Sequence, residues 1–200
     1  LQLIPIAVRK WSGKWKQVWL TIFAILLVGT CLYPISASIA KITDRMSNQV
    51  PLTLDGMNYM KSSTYSVNGA TLDLNQDYQA IRWMQMNVKG SPVIVEANVP
   101  EYQWGNRFTV YTGLPGVVGW NWHQRQQRAI LPSNWVTDRI EEIHNFYTTT
   151  NLKEAEYFIQ KYQIQYIVVG QLEKICYPGI GLDKFETFNN VLWKKEFEYK

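Results

Sequence analysis

Residues 17–40 contain no charged side chain, and this run constrains the chain more than any other feature. Its core, VWLTIFAILLVGTCLY at 18–33, is apolar all round a helix. Crossing a bilayer takes about 20 mostly apolar residues, within a range of roughly 17–25. A soluble domain seldom buries a helix that is greasy on every side. The run therefore predicts one transmembrane helix at 17–40, with residues 1–16 as its flank and about 160 residues after it.

Charge sets the expected direction. Arg9, Lys10, Lys14 and Lys16 are the only charges in the first forty residues, so the positive-inside rule predicts a cytoplasmic flank. Residues 41–200 are then expected outside the cytoplasm of a cell membrane. Trp11, Trp15, Trp19 and Tyr33 suit anchoring near the two ends of the span. The formal charge of +4 does not imply nucleic acid, because all 16 acids follow residue 40 and only 16 of the 20 bases do. The later part is neutral, without the basic stripe that nucleic-acid binding leaves. A cleaved signal peptide is the rival reading, with ISASIA at 35–40 as its cleavage site. The apolar run exceeds the usual h-region of roughly 7–15 residues. The opening LQLIPIAV reads as a piece of a longer chain with earlier spans.

The remainder predicts a small α/β domain with a mostly parallel sheet and flanking helices at 75–200, joined by a polar connector at 41–74. Asn75 reads as a helix N-cap, with Tyr78, Ile81, Met84 and Val88 at helical spacing; Gly90 and Pro92 stop that helix. PVIVEA at 92–97 and QYIVVG at 165–170 read as strands buried on both faces. RFTVYTG at 107–113 alternates like a short strand within a Trp-rich loop at 98–132. A second helix starts at Ser133 or Asn134, carrying Val136, Ile140, Ile143 and Tyr147 on one face. A third opens at Asn151, with Glu154 completing a capping-box pattern and Leu152, Ala155, Ile159 and Tyr162 inward. VLWKKEFEY at 191–199 is expected as an edge strand.

The segments LDGMNYM, DYQAIRWMQMNVKGSPVIVEA, RFTVYTGLPGVVGWNWHQRQQR and EAEYFIQKYQIQYIVVGQLEK occur in that order across residues 50–185. Together they resemble the C-terminal region of the YYY-type multi-pass membrane proteins. That family is similar in layout to the GT-C glycosyltransferases, which use lipid-phosphate sugars. The resemblance implies a membrane bundle ahead of Leu1 and an extracytoplasmic α/β domain here. It also implies that the main catalytic acids lie in an earlier outer loop, outside this chain, which leaves substrate recognition to this part. A lipid-phosphate sugar is the donor so implied for the full protein. A lipid-linked sugar or glycan acceptor, the missing bundle and the bilayer are the implied partners.

The candidate substrate site is the loop from Glu96 to Arg128. Glu96 ends a strand, where ligands of open α/β sheets bind. Tyr102, Arg107, Tyr111, Trp120, His123, Gln124 and Arg125 follow it, with Trp104 and Trp122. Aromatic faces with a few planar hydrogen-bonding groups suit a sugar, and Arg107 with Arg125 suits a phosphate. The rival reading is that the tryptophans pack the loop. His123 and His144 lack the clustered acids or thiols of a zinc site, so neither metal nor cofactor is expected. Cys31 and Cys176 fall on either side of the membrane boundary and are not expected to pair. Asp55 reads as a surface turn, with the resemblance implying as its alternative a place facing the active cavity of the missing bundle, and Asp73 and Asp77 read as helix-initiating acids. No phosphate loop, Gly-x-Ser-x-Gly, HExxH or CxxC occurs. A non-catalytic ligand-binding or assembly module of the cell envelope is the alternative to the glycosyltransferase-like reading.

Overall fold

The computed structural model describes residues 9, 13–46, 50–132, 134–187 and 195–199. It divides into two compact units, Leu1–Leu52 and Thr53–Lys200. Lys10 and Trp11 of the expected flank lie outside the described residues.

The first unit is built on helix α1, Lys14–Arg45, 32 residues with none buried. At about 1.5 Å per residue it reaches roughly 48 Å, more than the ~30 Å apolar thickness of a bilayer. It is long and apolar enough to cross a membrane. It runs past the expected end at residue 40 to Arg45. Pro34 sits inside it and forfeits one backbone N–H donor. The hydroxyls satisfy themselves on the helix's own carbonyls: Thr30 on Leu26 O at 2.8 Å and Thr43 on Ile39 O at 2.9 Å. An apolar solvent demands such internal satisfaction.

The second unit, the head, begins at Thr53 rather than at residue 75. Asp55 opens it with a turn, its Oδ1 accepting from Met57 N at 3.0 Å ahead of a 3-10 turn at Asn58–Lys61. Strands β1, Thr64–Val67, and β2, Ala70–Asp73, then form an antiparallel hairpin. Asn68 and Gly69 connect them with φ of 49° and 78°, the two positive values a tight two-residue hairpin turn requires. Val67 and Leu72 are buried, so this part of the expected connector belongs to the core.

Helix α2, Leu74–Asn87, is capped by Asp73, whose Oδ1 accepts from Asn75 N at 2.9 Å. The cap therefore lies two residues before the expected Asn75. Strand β3, Val93–Val95, follows. It pairs in parallel with β4, Ile164–Ile167, with Val93 opposite Ile164 and Val95 opposite Ile167. The parallel sheet has these two strands only among the described residues, extended by a single bridge from Ile94 to Gly116. Ile94 and Val95 are buried, but in β4 Gln165 is exposed, so β4 is not buried on both faces.

RFTVYTG is not a strand. Residues Arg107–Thr112 form helix α3, bracketed by Asn106 and Gly113 in the left-handed region. Strand propensity here gives way to tertiary caps. Helix α4, Asn121–Gln127, further shortens the expected loop. Helices α5, Trp135–Thr148, and α6, Leu152–Tyr162, follow as the periodicity predicts, with Asn151 accepting from Lys153 N at 3.1 Å. Ser133, one of the two expected starts of α5, lies outside the described residues. After β4 come α7, Gln171–Cys176, a 3-10 turn at Ile180–Asp183, and α8, Lys184–Thr187. Of the expected edge strand, 191–194 lie outside the described residues and 195–199 carry no regular structure.

The core is aromatic where α5 meets its neighbours. Phe146 stacks on Phe158 at 4.6 Å and Tyr147 on Tyr177 at 4.7 Å. The Tyr147 hydroxyl lies 2.8 Å from Val168 O and 3.1 Å from Val95 O, and it pins α5 to the carboxyl ends of both parallel strands.

Candidate functional site

Glu96 does follow the end of β3, but it does not face a ligand. It is buried, and its two oxygens accept from Phe108 N at 3.0 Å and Thr109 N at 2.9 Å. These are orphan donors in the first turn of α3, so the carboxylate serves as that helix's cap. Burial pushes the Glu96 carboxyl up, against the pull of Arg107 and the two N–H donors.

Arg107 is 2% exposed. Its Nε donates to Asp77 Oδ2 at 2.7 Å, and its Nη groups form a fork on Glu173 at 2.9 and 3.2 Å. Glu96 Oε2 lies 3.7 Å from Nη1. A buried guanidinium already balanced by three buried carboxylates is not presented to a phosphate, and the structure does not join it with Arg125 in the expected phosphate clamp. Glu173 also accepts from Ala97 N at 2.8 Å and Gly170 N at 2.9 Å. Burial alone raises its carboxyl, but Arg107 and these N–H groups outweigh burial and hold it below the usual carboxylate range. Desolvation likewise opposes the Arg107 charge, and the carboxylates more than reverse it. This cluster ties α2, α3, α7 and the end of β3 together. Its role is structural.

Tyr111 is also committed to packing. Its hydroxyl lies 2.8 Å from that of Tyr59, and its ring lies 6.2 Å from Trp104. Trp104 in turn donates to Asp77 at 2.6 Å.

Three of the expected residues are brought together at the start of α4. Tyr102, Trp120 and His123 form a mutual aromatic cluster with centroids 5.5–5.7 Å apart. Tyr102 is 76% exposed at a φ of 63°, and its hydroxyl lies 3.1 Å from His123 Nε2. Trp120 is anchored from behind by Asn106. With its amide nitrogen on Val118 O at 3.1 Å, Asn106 accepts from both Trp120 N and Nε1 at 3.2 Å. Arg125 lies further along α4, with its Nε on Asn121 Oδ1 at 2.7 Å and a second bond to Thr137 Oγ1. Gln124, on the same helix, accepts from Arg128 Nε at 2.9 Å. Trp122 stands 58% exposed beside them.

Sequence reasoning passed over Glu101 and Glu173, and it read Asp77 only as a helix-initiating acid, whereas Asp77 accepts from Trp104 and Arg107. Asp77 sits at helical spacing with Ile81 and Met84, and an acid on an apolar stripe demands a buried partner. Glu173 lies three residues after Gly170 at a strand-to-helix junction, the spacing of a capping box. Glu101 accepts from Trp122 N at 2.6 Å. That N–H, its own backbone N–H, and the nearby His123 and Arg125 hold its carboxyl below the usual range. Only sequence distance hid Glu101, twenty-one residues before the donor.

Among the described residues no group of three or more His, Cys, Asp or Glu is placed to hold a metal ion. Comparison with known proteins finds no family model, no curated protein and no solved structure that matches the chain.

Proposed function

We propose that the head recognises a glycan through the Tyr102–Trp120–His123 cluster, as the extracytoplasmic, sugar-binding part of an integral membrane protein that handles lipid-linked sugars. One observation carries this reading: three rings in mutual contact at 5.5–5.7 Å, with an exposed tyrosine among them and planar polar groups alongside. Binding sites combine aromatic surface with a few placed polar groups. Here Tyr102 Oη, the imidazole, the Gln124 amide and Arg125 supply the polar part. A cluster meant only for packing is expected to lie in the core, as Phe146 and Tyr147 do at 2% and 0% exposure.

The GT-C-like layout makes lipid-linked sugars the substrate class, and this head supplies recognition rather than the reacting acids. Helix α1 crosses the membrane, and its basic N-terminal flank faces the cytoplasm. The test is glycan-array binding by the full chain in nanodiscs. Binding that falls at least tenfold in Trp120→Ala and Tyr102→Ala, with unchanged thermal unfolding, supports the reading. A folded chain that binds no glycan, or variants that bind as well as the parent, overturns it.

A further inference from the structure

We infer that the turn at residues 128–132 is a docking surface for anionic lipid headgroups. The chain leaves α4 at Arg128 and turns, with Leu131 N on Arg128 O at 2.9 Å. It enters α5 through Trp135 N on Pro132 O at 3.0 Å. At the tip Ile130 is 97% exposed and Leu131 next to it 37%. Single exposed apolar residues need no explanation, but this pair sits against a concentration of cations.

Behind the tip lies a cleft of about 210 Å³ lined by Arg125, Arg128, Leu131, Pro132, Trp135 and Val136. Its walls are apolar and its charges are two guanidiniums. Arg128 lies 4.9 Å over the Trp135 ring and Arg139 lies 4.0 Å over the same ring. Two arginines therefore lie over one indole, and Arg125 lines the same cleft. Arg125 is held in place by Asn121 and Thr137, while Arg128 keeps its guanidinium at the surface. The carboxylates of Asp138 and Glu101 take hydrogen bonds from Asn134 at 2.7 Å and from the Trp122 N–H, and Glu142 is paired with Lys161.

An apolar tip, an indole and fixed arginines are what an interfacial lipid contact uses. Aliphatic side chains enter the acyl boundary, the ring lies at headgroup depth, and guanidiniums pair with phosphates. Arginine suits that role because its planar fork donates to two phosphate oxygens at once. The occupant is the bilayer rather than another protein because the chain carries its own apolar helix. That helix ends at Arg45 and the head begins at Thr53, so the head is tethered to any membrane that α1 enters. This inference rests on the membrane reading of α1.

The test uses the full chain in nanodiscs. Ile130→Cys, in a background with Cys31→Ser and Cys176→Ser, carries an environment-sensitive fluorophore. One disc type is phosphatidylcholine alone; the other holds equal parts of phosphatidylcholine and phosphatidylglycerol. The expected result is blue-shifted emission, quenched by nitroxide-bearing lipid, in the anionic discs. Arg128→Glu and raised salt should each reduce that quenching severalfold. A fluorophore that stays aqueous in both discs overturns the docking. A second chain labelled at native Cys31, with Cys176→Ser, separates the two failures. An unquenched Cys31 label sinks the membrane reading itself, and a quenched one beside an aqueous residue 130 sinks the docking alone.

Discussion

Two residues of one loop, Arg107 and Tyr102, divide packing from recognition. Arg107 balances Asp77, Glu96 and Glu173 in the dry interior, so its removal strands buried carboxylates. Breaking such a pair from one side costs about 3–5 kcal/mol. Arg107→Ala is therefore expected to lower stability by that amount in denaturant unfolding. Tyr102→Ala, at an exposed position, should stay within about 0.5 kcal/mol of the parent. Equal losses in the two variants contradict this division. The acid limb of the stability curve tests the cluster further. Glu173 lies below its ordinary 4.5 in the fold, so the unfolded chain takes up that proton first as pH falls. Its contribution is whole above the carboxylate range and is lost as pH drops through the lowered value. Glu96 has the opposite sign: the fold favours its protonated form, and its contribution declines as pH rises from 4.5 through the raised value. Glu173→Gln should cost about 1.5–3 kcal/mol at neutral pH and flatten the acid limb. Glu96→Gln should instead remove the decline above the carboxylate range. Urea midpoints across pH distinguish the two.

At the scale of elements, what could be read from the sequence was what depends on near neighbours. The apolar stripes of α2, α5 and α6 and the Asn151 cap follow from spacings of three and four. The run at 92–97 is apolar and β-branched, and β3 lies within it. What could not be read depends on partners far along the chain. Residues 107–112 are β-prone, yet Glu96, twelve residues before Phe108, caps them into a helix. The hairpin at 64–73 was signalled by Asn68-Gly69 but buried in a polar stretch. Glu96 and Arg107 look like site residues in any one-dimensional reading, since charged residues at a strand end seldom sit in a core; only the convergence of four segments reveals otherwise. The same remoteness governs the C-terminal elements. Lys184 donates to Tyr147 O at 3.0 Å, Thr149 O at 2.9 Å and Gly181 O at 2.7 Å, and so closes the end of α5. Gly181 fits because it lacks a side chain: a Cβ there would lie 2.4 Å from Thr148 O and 2.5 Å from Tyr147 O. Backbone cannot step aside as a side chain can. Gly181→Ala is expected to destabilise the head by about 1–3 kcal/mol, read as a lowered unfolding midpoint. A neutral effect there shows that the 3-10 turn is not docked against α5.

For the whole molecule, the governing contrast is between a helix with no buried residue and a head with an ordinary aromatic core. Large apolar side chains stand exposed along α1 from Val18 to Ile42, and water is an unfavourable neighbour for them. A bilayer covers them at no cost in specificity, whereas a protein groove needs a complementary partner for every face. Length agrees, because α1 exceeds the apolar thickness and leaves Lys14, Lys16, Lys41 and Arg45 near its ends, where long basic side chains reach the headgroups. The proposed direction rests on charge alone: four bases and no acid precede the run, while the residues after it balance. The proposed topology makes an asymmetric prediction. In a Cys31→Ser, Cys176→Ser background, a membrane-impermeant maleimide should label Lys153→Cys, on exposed α6, in intact cells. The same reagent should label Arg9→Cys only after permeabilisation. Reversed labelling places the head in the cytoplasm and removes extracytoplasmic sugars from its reach. Labelling of both sites in intact cells means that α1 does not cross.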